Sequence, residues 1–227
     1  MVLEFFRGGS DRELEAIGSE ISEMLLDCRH TFDLAANAVL GGTDPQVVGP
    51  EIRDTDRRVN RAERAVRKEL VVHVSVRKGH ADLPLVLASM SIVKDAERIG
   101  DYAKNIWDLA AAGIDWSEAP DLAQLTVHRD RTSQLIGEAA RVFRERDVEQ
   151  ANALLQTGDG ILDEHDDEVL RALRSEGPVA EAVARALFHR YLKRIVAHTM
   201  NVLTSLVMPI HRLDYYDEKR ADRDPTD

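Results

Sequence analysis

The chain has 227 residues, 44% apolar and 31% charged, with a formal net charge of −11. The apolar content excludes general disorder, and the negative charge argues against nonspecific nucleic-acid binding, since that requires a cationic surface. The single cysteine, Cys28, excludes an intramolecular disulfide and favours a reducing compartment. Because no apolar run reaches the roughly 18–20 residues of a membrane span and the N-terminus lacks a signal-peptide pattern, we expect a cytoplasmic protein.

The first half of the chain predicts three long helices. The first begins at Ser10, where "SDRE" is typical of a capping box between Ser10 and Glu13, and it ends before the turn "GGTDP". The second helix is predicted over about 46–76 and the third over about 84–112, because apolar residues recur there at helical spacing. The stretch "KGHADLP" separates them.

The second half repeats this plan after the loop "GIDWSEAPD", the most plausible domain boundary. Three more helices are predicted at about 121–146, 147–174 and 178–208, followed by a polar tail that we expect to be frayed. Short connections make sequential helices antiparallel neighbours. We therefore predict an all-α fold of two tandem antiparallel three-helix bundles, divided as follows: extension 1–9, first repeat 10–115, second repeat 120–210, tail 211–227.

Two alignments between the halves indicate an internal duplication. "ERIGDYAKNI", which begins at Glu97, aligns with "KRIVAHTMNV", which begins at Lys193. In the preceding helices, the segment from Asp56 aligns with the segment from Asp159, and Asn60 falls on Asp163. The two matches occur in the same order, as a duplicated three-helix unit requires.

These segments resemble the PhoU family of regulators of bacterial phosphate uptake. "ERIGDYAKNI" is similar to the family's ERIGD signature, which includes Arg98 and Gly100, and "DRRVNRAERAV" resembles the segment in its preceding helix. The resemblance implies two three-helix bundles and multinuclear metal clusters on acidic motifs. It also implies a negative regulator that links a phosphate transporter to a sensor kinase.

Helical spacing makes the first-half motif plausible as a set of metal ligands. Residues at i, i+4 and i+7 or i+8 share one face of a helix, and two neighbouring helices would bring four carboxylates and two amides together: Asp56, Asn60, Glu63, Glu97, Asp101 and Asn105. Such oxygen ligands suit divalent or ferric ions, and we predict Fe, Mn, Mg or Zn without deciding among them. The alternative is a solvated acidic face whose charges pair with nearby arginines.

A cation would also relieve a local conflict, because Glu97 and Asp101 are like charges four residues apart, a pair that costs roughly 0.2–0.5 kcal/mol. The second repeat has Lys193 and Ala197 at these positions, so only Asp159 and Asp163 remain as a weaker, partial site. Two residues keep alternative interpretations. Gly100 indicates close helix approach or room for a ligand, and His198 either ligates beside Asp163 or forms a hydrogen bond at a helix surface.

The expected function is cytosolic regulation of phosphate uptake and phosphate-responsive signalling. The partners would be phosphate-transporter components, a histidine sensor kinase or both, with homodimerisation, no nucleic acid, and membrane contact only through a partner. The alternatives are a metal-binding or metal-buffering helical bundle and a dedicated accessory of a phosphate permease. We do not expect an enzyme, because Cys28 has only His30 nearby and residues two apart do not face each other on a helix.

Overall fold

The computed structural model describes residues 12–77, 82–213 and 215–217. This part of the chain forms six long α-helices and two 3₁₀ turns, and it contains no β-strand. The helices are α1 Arg12–Leu40, α2 Pro45–Arg77, α3 Leu83–Ala111, α4 Leu122–Glu145, α5 Val148–Leu173 and α6 Val179–Val207. All six lie within about two residues of the bounds predicted from the sequence. The predicted capping box at Ser10 and the 1–9 extension lie outside the described residues.

The helix ends follow from local side-chain chemistry. Asp82 precedes α3 and accepts a hydrogen bond from the Leu85 amide at 3.2 Å, and Asp147 caps α5 in the same way. Arg146 closes α4 in the left-handed region at φ 55°. Each cap satisfies a backbone group that has no partner within its helix.

The two bundles share one hydrophobic core. In the first repeat α1 packs on both α2 and α3, and in the second α6 packs on both α5 and α4. The repeats then meet through α1 against α4 and α3 against α6, so that α2 and α5 lie outside a central group of four helices. Phe32, Ile99, Phe188 and Ile195 are fully buried in one continuous apolar cluster. The tandem arrangement is confirmed, while the shared core was not predicted.

The loop between the repeats is part of this core. Trp116 is buried, and its amide donates to the Val39 carbonyl at 2.8 Å. Its ring meets Phe188 of α6 edge-on, with centroids 5.4 Å apart. The segment therefore anchors α6 to the end of α1 instead of serving as a loose linker.

The start of the C-terminal tail is packed. Ile210–Arg212 and Tyr215–Asp217 form 3₁₀ turns, and Leu213 between them is buried. The Thr204 hydroxyl of α6 donates to the Leu213 carbonyl at 2.6 Å. Residues 218–227, where fraying was predicted, lie outside the described residues. Within the described ranges, no helix combines the length and apolarity needed to cross a membrane.

Candidate functional site

Helices α2 and α3 are antiparallel, and two contacts fix their register. The Arg53 guanidinium lies over the Trp107 ring, 5.2 Å from its centroid, and one turn further along α2 the Asp56 carboxylate meets Lys104 of α3 at 2.8 Å. Moving three residues towards the C-terminus of α2 therefore corresponds to moving three residues towards the N-terminus of α3. The two predicted acidic stripes lie on facing sides of this helix pair.

Lys104 brings two of the predicted ligands together. Its ammonium lies 2.8 Å from Asp56 Oδ1 and 3.5 Å from Asp101 Oδ1. Partial burial lowers the pKa of Lys104, but hydrogen bonding and Coulombic attraction to Asp56 and Asp101 outweigh it, so the pKa is raised. A protonated lysine thus occupies the position between these two carboxylates.

Glu63 and Glu97 form the buried part of the acidic face. In the same register Glu63 lies opposite Glu97, because each is seven residues away from the Asp56–Lys104 contact along its own helix. Both side chains are only 9% exposed, and each pairs with a cation of its own helix, Arg67 for Glu63 and Lys94 for Glu97. Separate lysines thus neutralise Glu97 and Asp101, which resolves their like-charge conflict without a metal ion.

The two asparagines are placed differently from the carboxylates. Asn60 Nδ2 donates to the Asp56 carbonyl of its own helix at 3.0 Å, and Asn105 is half-buried on α3. Among the residues that the structure describes, no group of three or more His, Cys, Asp or Glu side chains is arranged to hold a metal ion. The four predicted carboxylates lie along the α2–α3 pair, but lysine and arginine hold them.

Gly100 marks a close approach of α1 and α3. A Cβ at this position would lie 3.2 Å from Cys28 Sγ, and the Cys28 thiol donates to the Ala96 carbonyl at 3.3 Å. The close-approach interpretation of Gly100 is confirmed. Burial, with Asp27 adding to it, raises the pKa of the Cys28 thiol, which keeps it unreactive. Arg98, the other family-motif residue, is exposed on α3.

The second repeat replaces acidic pairs with a charge pair between helices. Lys193, which stands at the glutamate position, donates to Asp166 of α5. Ala197, at the aspartate position, is buried. Asp159 is half-buried and Asp163 is exposed on α5. This repeat therefore offers no carboxylate from α6 to accompany the aspartates of α5.

His198 corrects a sequence-based expectation. It does not lie at a helix surface but is fully buried between the repeats, where its Nδ1 is 2.8 Å from Asp95 Oδ1 on α3. Arg194 Nη2 lies 3.0 Å from His198 Nε2. Because an arginine can only donate, His198 accepts at Nε2 and donates from Nδ1 to Asp95. The expectation failed because α6 packs on α3 as well as α5.

Sequence analysis also missed a histidine cluster inside the second repeat. His128 of α4, His165 of α5 and His189 of α6 are buried against one another, with ring centroids 5.1–5.4 Å apart. Burial is the main cause that lowers the pKa of all three, to about 3 for His189. The residues are 24 or more positions apart in sequence, so no local spacing signals the cluster.

Comparison with known proteins finds similarity to PhoU proteins. The model of the PhoU domain matches residues 21–110, which include the acidic face. A "phosphate-specific transport system accessory protein PhoU homolog" of Synechocystis sp. is 23% identical over 157 residues, which cover 67% of this chain and 70% of that protein.

Two solved structures share the fold. PhoU from Pseudomonas aeruginosa superposes with a TM-score of 0.73 at 22% identity, over 88% of this chain and 98% of that one. The phosphate transport system regulatory protein PhoU from Streptococcus pneumoniae superposes with a TM-score of 0.72 at 18% identity, over 87% of this chain and 94% of that one. The first repeat thus matches the PhoU domain, and the chain shares the fold of these two PhoU structures over most of its length.

Proposed function

We propose that this protein regulates phosphate uptake by binding a phosphate-transporter component, a histidine sensor kinase or both. The observation that carries the proposal is the PhoU-domain match at 21–110, together with a relative named as an accessory protein of a phosphate-specific transport system. Regulation by binding requires different affinities for two states of the partner. The experiment therefore compares phosphate-starved with phosphate-replete cells.

Exposed apolar residues at one end of the α2–α3 pair support a protein partner. Val72 and Val76 on α2 and Leu83 and Leu87 on α3 are each more than half exposed. The α2–α3 register brings Val76 level with Leu83 and Val72 level with Leu87, so the four stand at the same end of this helix pair, here called the first tip. Val72 and Val76 share one face of α2, and Leu83 and Leu87 share one face of α3. Grouped exposed apolar residues mark interaction surfaces more often than apolar residues scattered singly.

The second repeat has a matching surface. Leu170 and Leu173 at the end of α5 and Val179 and Val183 at the start of α6 are exposed, and they form the second tip. The two tips stand at equivalent places in the duplicated unit, each at the connection of its second and third helices. Two such surfaces suit the linkage of two bodies, including a second copy of this chain in a homodimer.

The test is affinity capture of the tagged full-length chain. Transporter components or a histidine kinase should be recovered, in amounts that differ between starved and replete cells. Val72→Glu with Leu87→Glu should reduce recovery at least about tenfold, since two charges would be desolvated at the contact. Val127→Glu is the matched control, because Val127 is equally exposed, on α4. Recovery of neither partner class under either condition would overturn the proposal.

We further propose that the acidic face of the first repeat binds a divalent or ferric cation, which would take the place of Lys104 between Asp56 and Asp101. The supporting observation is the pair of carboxylates that already shares one cation. Lys104→Met should strengthen Mn²⁺ binding by roughly tenfold and Lys104→Arg should not, because only the first removes the competing charge. Asp56→Asn and Asp101→Asn should abolish it.

Calorimetric titration of metal-free protein measures these affinities. If Asp56→Asn and Asp101→Asn bind Mn²⁺ as the wild type does, the acidic face is not the site. If the wild type binds no divalent or ferric cation, both the cation site and a metal-buffering function are refuted. The proposal of regulation through protein partners would stand in either case, because the capture experiment tests it separately.

A further inference from the structure

Three helices of the second repeat each direct one histidine into the same buried place. His128, His165 and His189 are 7%, 0% and 3% exposed, and they come from α4, α5 and α6 in turn. The three rings form a near-regular triangle, with centroid separations of 5.1, 5.2 and 5.4 Å. Because the triangle is assembled from three separate helices, its place is set by the packing of the whole second repeat.

The cluster leaves buried polar atoms without partners. His165 Nδ1 and His189 Nδ1 lie 3.2 Å apart and share a hydrogen bond. Both ring nitrogens of His128 and Nε2 of His165 are buried with no hydrogen-bond partner. Such groups are rare in folded proteins, and each calls for a physical explanation, such as a bound ion.

The spacing suits a tetrahedral metal ion. Imidazole nitrogens bind Zn²⁺ at about 2.0–2.1 Å, which places two ligand nitrogens about 3.3 Å apart and two ring centroids about 5.2 Å apart. The observed Nδ1–Nδ1 distance is 3.2 Å, and the centroid distances bracket the second value. The Nδ1 atoms of His165 and His189 thus have the spacing of two ligands of one ion, and a metal would replace the proton that they share.

The His128 ring is the part that has to move. As placed, the donor atoms of the described residues do not converge in any group of three. Rotation of the His128 ring about its Cβ–Cγ bond breaks no hydrogen bond, since neither of its nitrogens has one. A ring torsion of this kind is broad and soft, so bringing a nitrogen towards the ion requires no change in the helices.

A fourth ligand and an entry path lie beside the triangle. Glu168 Oε1 is 3.9 Å from His128 Nε2, and this carboxylate is held by Gln124 at 2.9 Å and by Arg171. A cavity of about 310 Å³ lined by His128, His189 and Glu168 leads to the cluster. Partners that orient a ligating carboxylate are typical of metal sites.

We propose that His128, His165, His189 and Glu168 bind a transition-metal ion of the Zn²⁺ class. Neutral imidazoles favour Zn²⁺, Co²⁺, Ni²⁺ or Cu²⁺ over Mg²⁺ and Ca²⁺. The donors distinguish this site from the oxygen-only acidic face of the first repeat, so the two differ in metal preference as well as in place.

The experiment is titration of metal-free, full-length protein with Zn²⁺, and with Co²⁺ as a spectroscopic probe. One equivalent should bind, and Co²⁺ should give the intense visible absorption of a tetrahedral site. His165→Asn and His189→Asn should each weaken Zn²⁺ binding by at least about 100-fold, since losing a ligand costs more than losing a group that merely orients one, which costs about 10–100-fold. His30→Asn is the control, because His30 is half-exposed and outside the cluster, where it pairs with Glu51 at 2.6 Å.

Two further variants keep the test decisive. Glu168→Gln removes only the carboxylate at the cavity and should weaken Zn²⁺ binding about tenfold even if the histidine variants fail to fold. Asp56→Asn with Asp101→Asn should leave it unchanged, which separates this site from the first-repeat proposal. Absence of a stoichiometric Zn²⁺ complex, or affinity unchanged in Glu168→Gln and the folded histidine variants, would overturn the inference.

Discussion

The buried contact between Asp95 and His198 should be one of the most costly polar contacts to break. Asp95 is 5% exposed and His198 0%, and their 2.8 Å hydrogen bond joins α3 of one repeat to α6 of the other. Asp95→Ala leaves the His198 Nδ1–H without its acceptor and also removes one acceptor of Asn201, at 3.4 Å. A buried donor left unsatisfied costs about 1–3 kcal/mol, so we expect a total loss of about 3 kcal/mol.

A double-mutant cycle measures this directly. Urea unfolding of Asp95→Ala, His198→Ala and the double variant, followed by far-ultraviolet circular dichroism, should give a coupling free energy of about 1.5–3 kcal/mol, as for hydrogen bonds to charged groups. The exposed pair Arg141–Glu145 is the matched control, at about 0.3–0.5 kcal/mol. A coupling for Asp95–His198 as small as that of the exposed pair would refute the reasoning.

The remaining predictions concern packing and pH. Gly100→Ala should change the free energy of unfolding little, because about 1 kcal/mol of helix propensity offsets the crowding against Cys28. In a Cys28→Ala background, Gly100→Ala should raise the free energy of unfolding by about 0.5–1 kcal/mol, measured by chemical unfolding. Equal effects of Gly100→Ala in both backgrounds would contradict this prediction. Folding lowers the pKa values of His165 and His189, so the unfolded chain binds more protons than the folded metal-free protein below about pH 6.5. The free energy of unfolding should therefore fall as the pH falls, by about 1.4 kcal/mol per pH unit for each of the two histidines. Unfolding at successive pH values should show a smaller slope for His189→Asn.

Local chemistry made the helices predictable, and non-local pairing limited the prediction of the site. Breakers such as Gly41 and caps such as Asp147 lie beside the ends that they determine, so helix bounds follow from sequence. Periodicity predicted the shared face of Asp56 and Asp101, but it does not specify which cation lies between them. For the second half of α6 it does not indicate which side faces which neighbour, because every residue from Ile195 to Leu206 is buried. A helical segment enclosed on all sides has no polar face to reveal its neighbours.

The antiparallel packing of α3 on α6 places the two tips at opposite ends of the molecule. Asp95 lies opposite His198, and Tyr102 opposite Tyr191, so Val183 of the second tip comes level with about Ala110 of α3. Leu83 of the first tip is 27 residues away along that helix, about 40 Å at 1.5 Å per residue. Two bodies can therefore be held at once without colliding, and the molecule has the geometry of a rigid spacer whose length sets the distance between them.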